Sequence, residues 1–119
     1  MRALILAALV LIAGCEKPGL NAPLAVPGGD PSRGPQLMRY YGCPTCHTIP
    51  GVPTPAGTIG PPLNDFKKRG YIGGVLSNSA DNLVQWIHDP QKFSPRSAMP
   101  KTGISEEEAR HVAAYLYAH

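Results

Sequence analysis

Apolar residues fall in separated clusters along this chain, and their spacing differs from cluster to cluster. Ala3 to Ala13 is an unbroken apolar run of eleven residues. Later clusters are sparse and helical in period. Asp30 reads as a helix N-cap with Pro31 at the first helical position. Pro35 still falls within about the first turn, Leu37, Met38, Tyr40 and Tyr41 give the apolar faces, and Gly42 ends the run. Leu63 to Arg69 has the length of a short helix with a basic end. Ser79 caps the next helix, with Leu83, Trp86 and Ile87 on one face and Pro90 as its stop. Ser105 and Glu108 have capping-box spacing, and Glu106 to Glu108 suit the positive end of a helix dipole. The last helix then runs to the C-terminus with Val112, Tyr115 and Leu116 as its buried stripe. Residues 48–62 carry five Pro and three Gly and read as loop, as do 91–103. No segment alternates convincingly as a strand, and no repeat is present. The pattern predicts an all-α domain of three to five short helices joined by long loops.

The first cluster belongs to a different category. Arg2 precedes it, and it is too short to span a bilayer as a helix. It ends in Leu11-Ile12-Ala13-Gly14-Cys15, which resembles a bacterial lipobox. This predicts a lipoprotein signal peptide over 1–14, a lipidated Cys15, and a Pro/Gly-rich flexible tether over 15–29. The folded domain is then 30–119, held at a membrane of the bacterial envelope and facing the periplasm. The alternative is an ordinary signal peptide with an incidental Cys15.

Composition narrows the function classes. Net charge is +3 and no Lys/Arg run is present, so no nucleic-acid surface is expected. Thirteen Gly and fourteen Pro make the chain loop-rich, and a small loop-rich domain struggles to bury enough apolar surface alone. A covalently held cofactor would fill that deficit.

Cys43-Pro44-Thr45-Cys46-His47 spells C-x-x-C-H, the attachment pattern of a c-type haem. Two thiols at this spacing can each add to a vinyl group of one porphyrin, and His47 then lies under the iron as its proximal ligand. The three cysteines are accounted for as one lipid anchor and two haem thioethers. Candidates for the second iron ligand are Met38, Met99, His88, His111 and His119. Met99 is favoured. It sits in the irregular loop Ser94-Pro95-Arg96-Ser97-Ala98-Met99-Pro100, whose prolines restrict the backbone around a weak Fe–S bond. His88 reads as a surface residue at a helix end, His111 and His119 as solvent-facing, and Met38 as core. A thioether favours ferrous iron and closes the sixth position, which suits electron transfer.

Beyond these five residues, the chain resembles the class I mono-haem cytochromes c over residues 30–119. Gly60-Pro61-Pro62-Leu63 is similar to that family's Gly-Pro-x-Leu segment. The resemblance implies that the Pro61 carbonyl accepts a hydrogen bond from the His47 ring. Leu83-x-x-Trp86-Ile87-x-x-Pro90, with Met99 nine residues on, resembles the family's helix and ligand loop, and implies that Trp86 packs against the haem on the methionine side. The resemblance also implies the cytochrome c fold, a last helix crossing the first, and haem propionate contacts among Arg69, Tyr71, Asn78 and Ser97. One departure stands out. Gly34 is nine residues before Cys43, one more than in many family members, and Arg39 stands where they carry an aromatic. Tyr40 or Tyr41 must therefore be presented by a different route. The C-terminal half is similar to haem domains fused to subunit II of some bacterial terminal oxidases, which implies a respiratory setting.

Other readings compete. A thioredoxin-like C-x-x-C needs a strand before the motif and a helix after it, whereas here a helix precedes and a loop follows. Structural zinc needs four ligands at recognisable spacing. A labile Met99 would instead make a haem-based gas sensor or peroxidase, but no His or Glu lies near Met99 for acid–base work. The expectation is a non-enzymatic one-electron carrier with one covalent haem c, no small-molecule substrate, and redox partner proteins that include a terminal oxidase. Lys67, Lys68, Arg69, Lys92, Arg96 and Lys101 form a candidate basic rim for an acidic partner. The alternative for these six is an ordinary solvated surface.

Overall fold

Capping chemistry sets the helix boundaries. The computed structural model describes residues 25–53 and 57–119. The expected signal peptide, the expected lipidation site Cys15 and the expected tether up to residue 24 lie outside the described residues. Asp30 Oδ1 accepts the Ser32 N–H at 2.9 Å, starting a 3-10 turn over Pro31–Arg33 that leads into helix α1, Gly34–Tyr40. Ser79 Oγ accepts from the Asn82 N–H and starts α2, Ala80–His88. Both halves of the Ser105–Glu108 capping box are formed at the start of α3, Glu106–Ala118.

The described fold is three α-helices joined by long loops and 3-10 turns, matching the expected all-α class, with one small addition. Tyr71–Ile72 pairs antiparallel with Leu76–Ser77 as strands β1 and β2. Two residues per strand are too few for a period-two pattern to register in sequence. Gly73 and Gly74, at φ +55° and +72°, supply the left-handed turn between them. The helix expected over Leu63–Arg69 contracts to a 3-10 turn at Phe66–Lys68. Pro61 and Pro62 stiffen the approach, and Asp65 in the left-handed region at φ 52° prevents a longer run.

Helix α3 is the hub. It packs on α1, on α2, and on the turns at Pro31–Arg33 and Phe66–Lys68. At its crossing with α1, a Cβ on Gly34 would lie 2.4 Å from Tyr115 Cβ, so only glycine permits that approach. Partners on several sides bury more of α3 than one stripe: Ala109, Val112, Ala113, Tyr115, Leu116 and Tyr117 are all buried. His111 is a correction. It was expected to face solvent but is 5 % exposed, with Nδ1 accepting the Asp30 N–H at 2.9 Å and Nε2 2.7 Å from an Arg33 nitrogen. His119 is exposed and stacks on Tyr115 with centroids 4.0 Å apart. The packed body also reaches upstream of Asp30. Val26 is buried, and Gly29 lies against the Arg110 carbonyl and Ala114.

Candidate functional site

The C-x-x-C-H segment is folded by its own backbone. Gly42, at φ 76°, caps a 3-10 turn over Cys43–Thr45, and the Cys43 carbonyl accepts both the Cys46 N–H at 3.2 Å and the His47 N–H at 3.0 Å. One tight turn therefore gathers both thiols and the imidazole. The Pro-rich loop folds back over it, with Gly60 N–H on the Cys46 carbonyl at 2.7 Å and Leu63 N–H on the Thr48 carbonyl at 2.9 Å. This return brings Gly60 so close that a Cβ there would sit 2.3 Å from His47 Cε1. His47 Nδ1 donates to the Pro61 carbonyl at 2.7 Å, as the family resemblance implied. Such a bond fixes the tautomer, since the proton on Nδ1 leaves Nε2 with a free lone pair.

A cleft of about 460 Å³ runs into the core and is lined by Cys43, Cys46, His47 and Met99 together. Met38, Leu63, Phe66, Ile72, Leu83 and Ile87 make its apolar walls. The volume falls in the range of cofactor sites. Ile59 and Tyr71, 74 % and 69 % exposed, stand at the same cleft as apolar surface on which no described residue packs. Shape, apolar lining and the donor set of two thiols, one imidazole and one thioether fit a c-type haem. In that arrangement Cys43 and Cys46 would hold the porphyrin, His47 and Met99 the iron.

Among the other residues expected at the site, Pro61, Arg69, Tyr71, Trp86 and Ser97 line the cleft. Asn78 does not. Its Nδ2 donates to the Phe66 and Arg69 carbonyls, each at 2.9 Å, and its Oδ1 accepts from the Tyr117 hydroxyl at 2.6 Å. Asn78 thus ties the chain together behind the cleft. Of the basic rim, only Arg69 lines the cleft. Lys68 pairs with Asp65 at 2.8 Å and Lys101 with Asp89 at 2.9 Å, so part of the rim is neutralised.

The loop carrying Met99 is closed on itself. His88 Nδ1 lies 2.7 Å from the Ile104 carbonyl, and Lys101 reaches back to Asp89, so both ends meet at the end of α2. Within it, Ser97 Oγ accepts the Met99 N–H at 3.2 Å. His88 is half-buried in this clamp, not a free surface residue.

Sequence reasoning missed Tyr41 and Phe66 as cleft residues, and gave Met38 only a core role. Met38 is both fully buried and part of the wall. Tyr41 is held by its hydroxyl on Glu108 Oε2 at 2.8 Å, a contact between residues far apart in sequence. Its signals in sequence were its place two residues before Cys43 and the need for Tyr40 or Tyr41 to be presented near it.

Burial pushes the Cys43 thiol up to about 11, with the neighbouring Cys46 adding to the rise. A reactive C-x-x-C relies on a lowered thiol pKa, the opposite of the direction at Cys43. Among the described residues, no group of three or more His, Cys, Asp or Glu is placed to hold a metal ion directly. Among the described residues, the cleft lining contains no Asp or Glu and a single imidazole, that of His47.

Comparison with known proteins agrees with this chemistry. The family model for cytochrome c matches residues 31–118. The chain is 36 % identical over 86 residues to cytochrome c oxidase subunit 2 of Alkalihalophilus pseudofirmus, covering 71 % of this chain and 24 % of that protein. It is 30 % identical over 105 residues to cytochrome c oxidase subunit 2 of Bacillus sp. strain PS3, covering 85 % of this chain and 28 % of that protein. The chain thus spans about a quarter of the length of these relatives. A cleft with a C-x-x-C-H wall, in a chain matched almost throughout its folded part, makes this chain a member of the cytochrome c family, an electron-transfer domain for haem c.

Proposed function

We propose that the chain is a one-electron carrier holding a single haem c through thioethers from Cys43 and Cys46, with His47 and Met99 as axial ligands. The observation that carries this reading is the convergence of all four side chains on one apolar cleft. His47, oriented by Pro61, supplies a firm donor, and Met99, presented by a loop clamped at both ends, supplies a soft one. The haem supplies the one-electron couple. The protein's part is to exclude water, fix both ligands and leave one edge near the surface. Tyr71 and Ile59, exposed at the cleft, mark that edge.

The partner is a redox protein of the respiratory chain, by similarity to oxidase subunits. The surviving basic charge near the cleft favours an acidic docking face, and a transfer rate that ignores ionic strength would refute that part. Lipidation at Cys15 places the domain at a membrane, facing the periplasm. Cys15→Ser is expected to release the protein from membranes, and continued binding would mean another anchor.

A redox titration with optical spectra tests the ligand set. Met99→Ala is expected to open the sixth position and lower the potential, while an unchanged spectrum would refute Met99. The reduced wild type is expected not to bind carbon monoxide at neutral pH. Ready binding would favour a gas sensor or peroxidase, whose acid–base work calls for a carboxylate or second imidazole that the described cleft lining does not offer.

A further inference from the structure

We propose that Arg69 is a positioning residue for His47, acting through the Pro61–Pro62 segment. The proposal rests on the reading of His47 as the proximal iron ligand. His47 is oriented by one acceptor, the Pro61 carbonyl, at 2.7 Å. Pro61 and Pro62 have no N–H, so this segment can be held by hydrogen bonds only through its carbonyls. The next carbonyl along, that of Pro62, accepts from Arg69 Nη2, which also reaches the Asn64 carbonyl at 3.5 Å. One guanidinium nitrogen therefore bridges both sides of Leu63 and holds the peptide next to the one on which the His47 ring rests.

Arg69 is itself held from behind. Its guanidinium lies over the Phe66 ring, 4.9 Å from the centroid. Its carbonyl accepts from Asn78 Nδ2 at 2.9 Å, and Asn78 is held in turn by the Tyr117 hydroxyl. A continuous path of contacts runs from Tyr117 on α3, through Asn78, Arg69 and Pro62, to Pro61 and His47. The task suits arginine. Its planar guanidinium lies over Phe66 and keeps Nη2 aimed at the two carbonyls, whereas a lysine ammonium is a point charge on a flexible stem.

A purely electrostatic role for Arg69 makes the opposite prediction. Removing a cation beside the cleft stabilises ferric iron and lowers the potential, and lysine restores it. Loosening the His47–Pro61 hydrogen bond weakens the imidazole as a donor and raises the potential, and lysine does not restore it. The test uses the ferrous holoprotein and its variants Arg69→Lys and Arg69→Gln. The readouts are solvent exchange of the His47 Nδ1 proton by NMR and the reduction potential. Exchange is expected to speed roughly fivefold in both variants, the equilibrium equivalent of about one net hydrogen bond. In Arg69→Lys, with charge kept, the potential is expected to rise. Tyr117→Phe, which leaves Arg69 in place, is expected to speed exchange in the same direction by less, and serves if the Arg69 variants fold poorly. Wild-type exchange and potential in Arg69→Lys would overturn the positioning role and leave charge alone. Exchange unchanged in every variant would overturn it too. Absence of a haem-shifted His47 ring proton in the wild type would instead bring down the proximal-ligand reading itself.

Discussion

Gly60 shows how a single missing side chain can decide a site. Its Cα occupies the face of the His47 ring, and a Cβ would meet Cε1, Nδ1 and Nε2 at 2.3, 2.6 and 2.8 Å. No flexible group can move aside, because the ring is held by Pro61 and the backbone by Cys46. Gly60→Ala is expected to cost about 1–3 kcal/mol of holoprotein stability, the usual range for overpacking. Denaturant unfolding measures the loss, and the yield of covalent haem should fall with it. That His47, Met99 and the two thiols share one cleft was legible in sequence, because residue type and spacing already grouped them. Asn78 was not, because an amide at a given position serves a cofactor carboxylate or a backbone carbonyl equally well. Only the nearness of the Phe66 and Arg69 carbonyls settles which acceptors it has.

At the scale of elements, the start of α3 joins helix stability to the cleft. Glu108 accepts the Ser105 N–H at 3.0 Å, the Ser105 hydroxyl at 2.9 Å and the Tyr41 hydroxyl at 2.8 Å. The Ser105 N–H first, then the Tyr41 and Ser105 hydroxyls, hold its carboxyl below the usual glutamate range. Since the folded-state pKa is depressed, the stabilisation is complete above the unfolded-state value and is lost as pH falls through the folded one. Glu108→Gln is therefore expected to lower stability at neutral pH and to flatten the acid limb of the stability curve. Ser105→Ala, which removes the cap, is expected to cost about 1 kcal/mol in thermal unfolding at neutral pH. The capping box was visible in the sequence, since its two partners are three residues apart. Its third partner, Tyr41, was not, because that contact exists only once α1 crosses α3. His111 was misplaced for a related reason. A hydrophobic stripe locates one buried face, whereas α3 is covered on several sides and buries a polar residue whose partners, Asp30 and Arg33, are about eighty residues away in sequence.

For the whole molecule, the fold class and helix order were readable because helices and caps are local. The tiny hairpin and the 3-10 turn at Phe66–Lys68 were not, because each depends on one left-handed residue or a pair of glycines inside a loop. The loops, not the helices, carry most of the ligand-bearing residues, and α3 holds the elements beneath them together. The half-buried Cys43 thiol bears on what a filled cleft would protect. It stands in the cleft wall and is reluctant to ionise. The cleft is therefore its route to solvent, and a porphyrin seated there would cover the very sulfur that holds it. Alkylation of Cys43 is expected to be slower in folded haem-free chain than in denaturant, and to stop in the holoprotein. Alkylation of the holoprotein at the haem-free rate would mean that this sulfur carries no thioether.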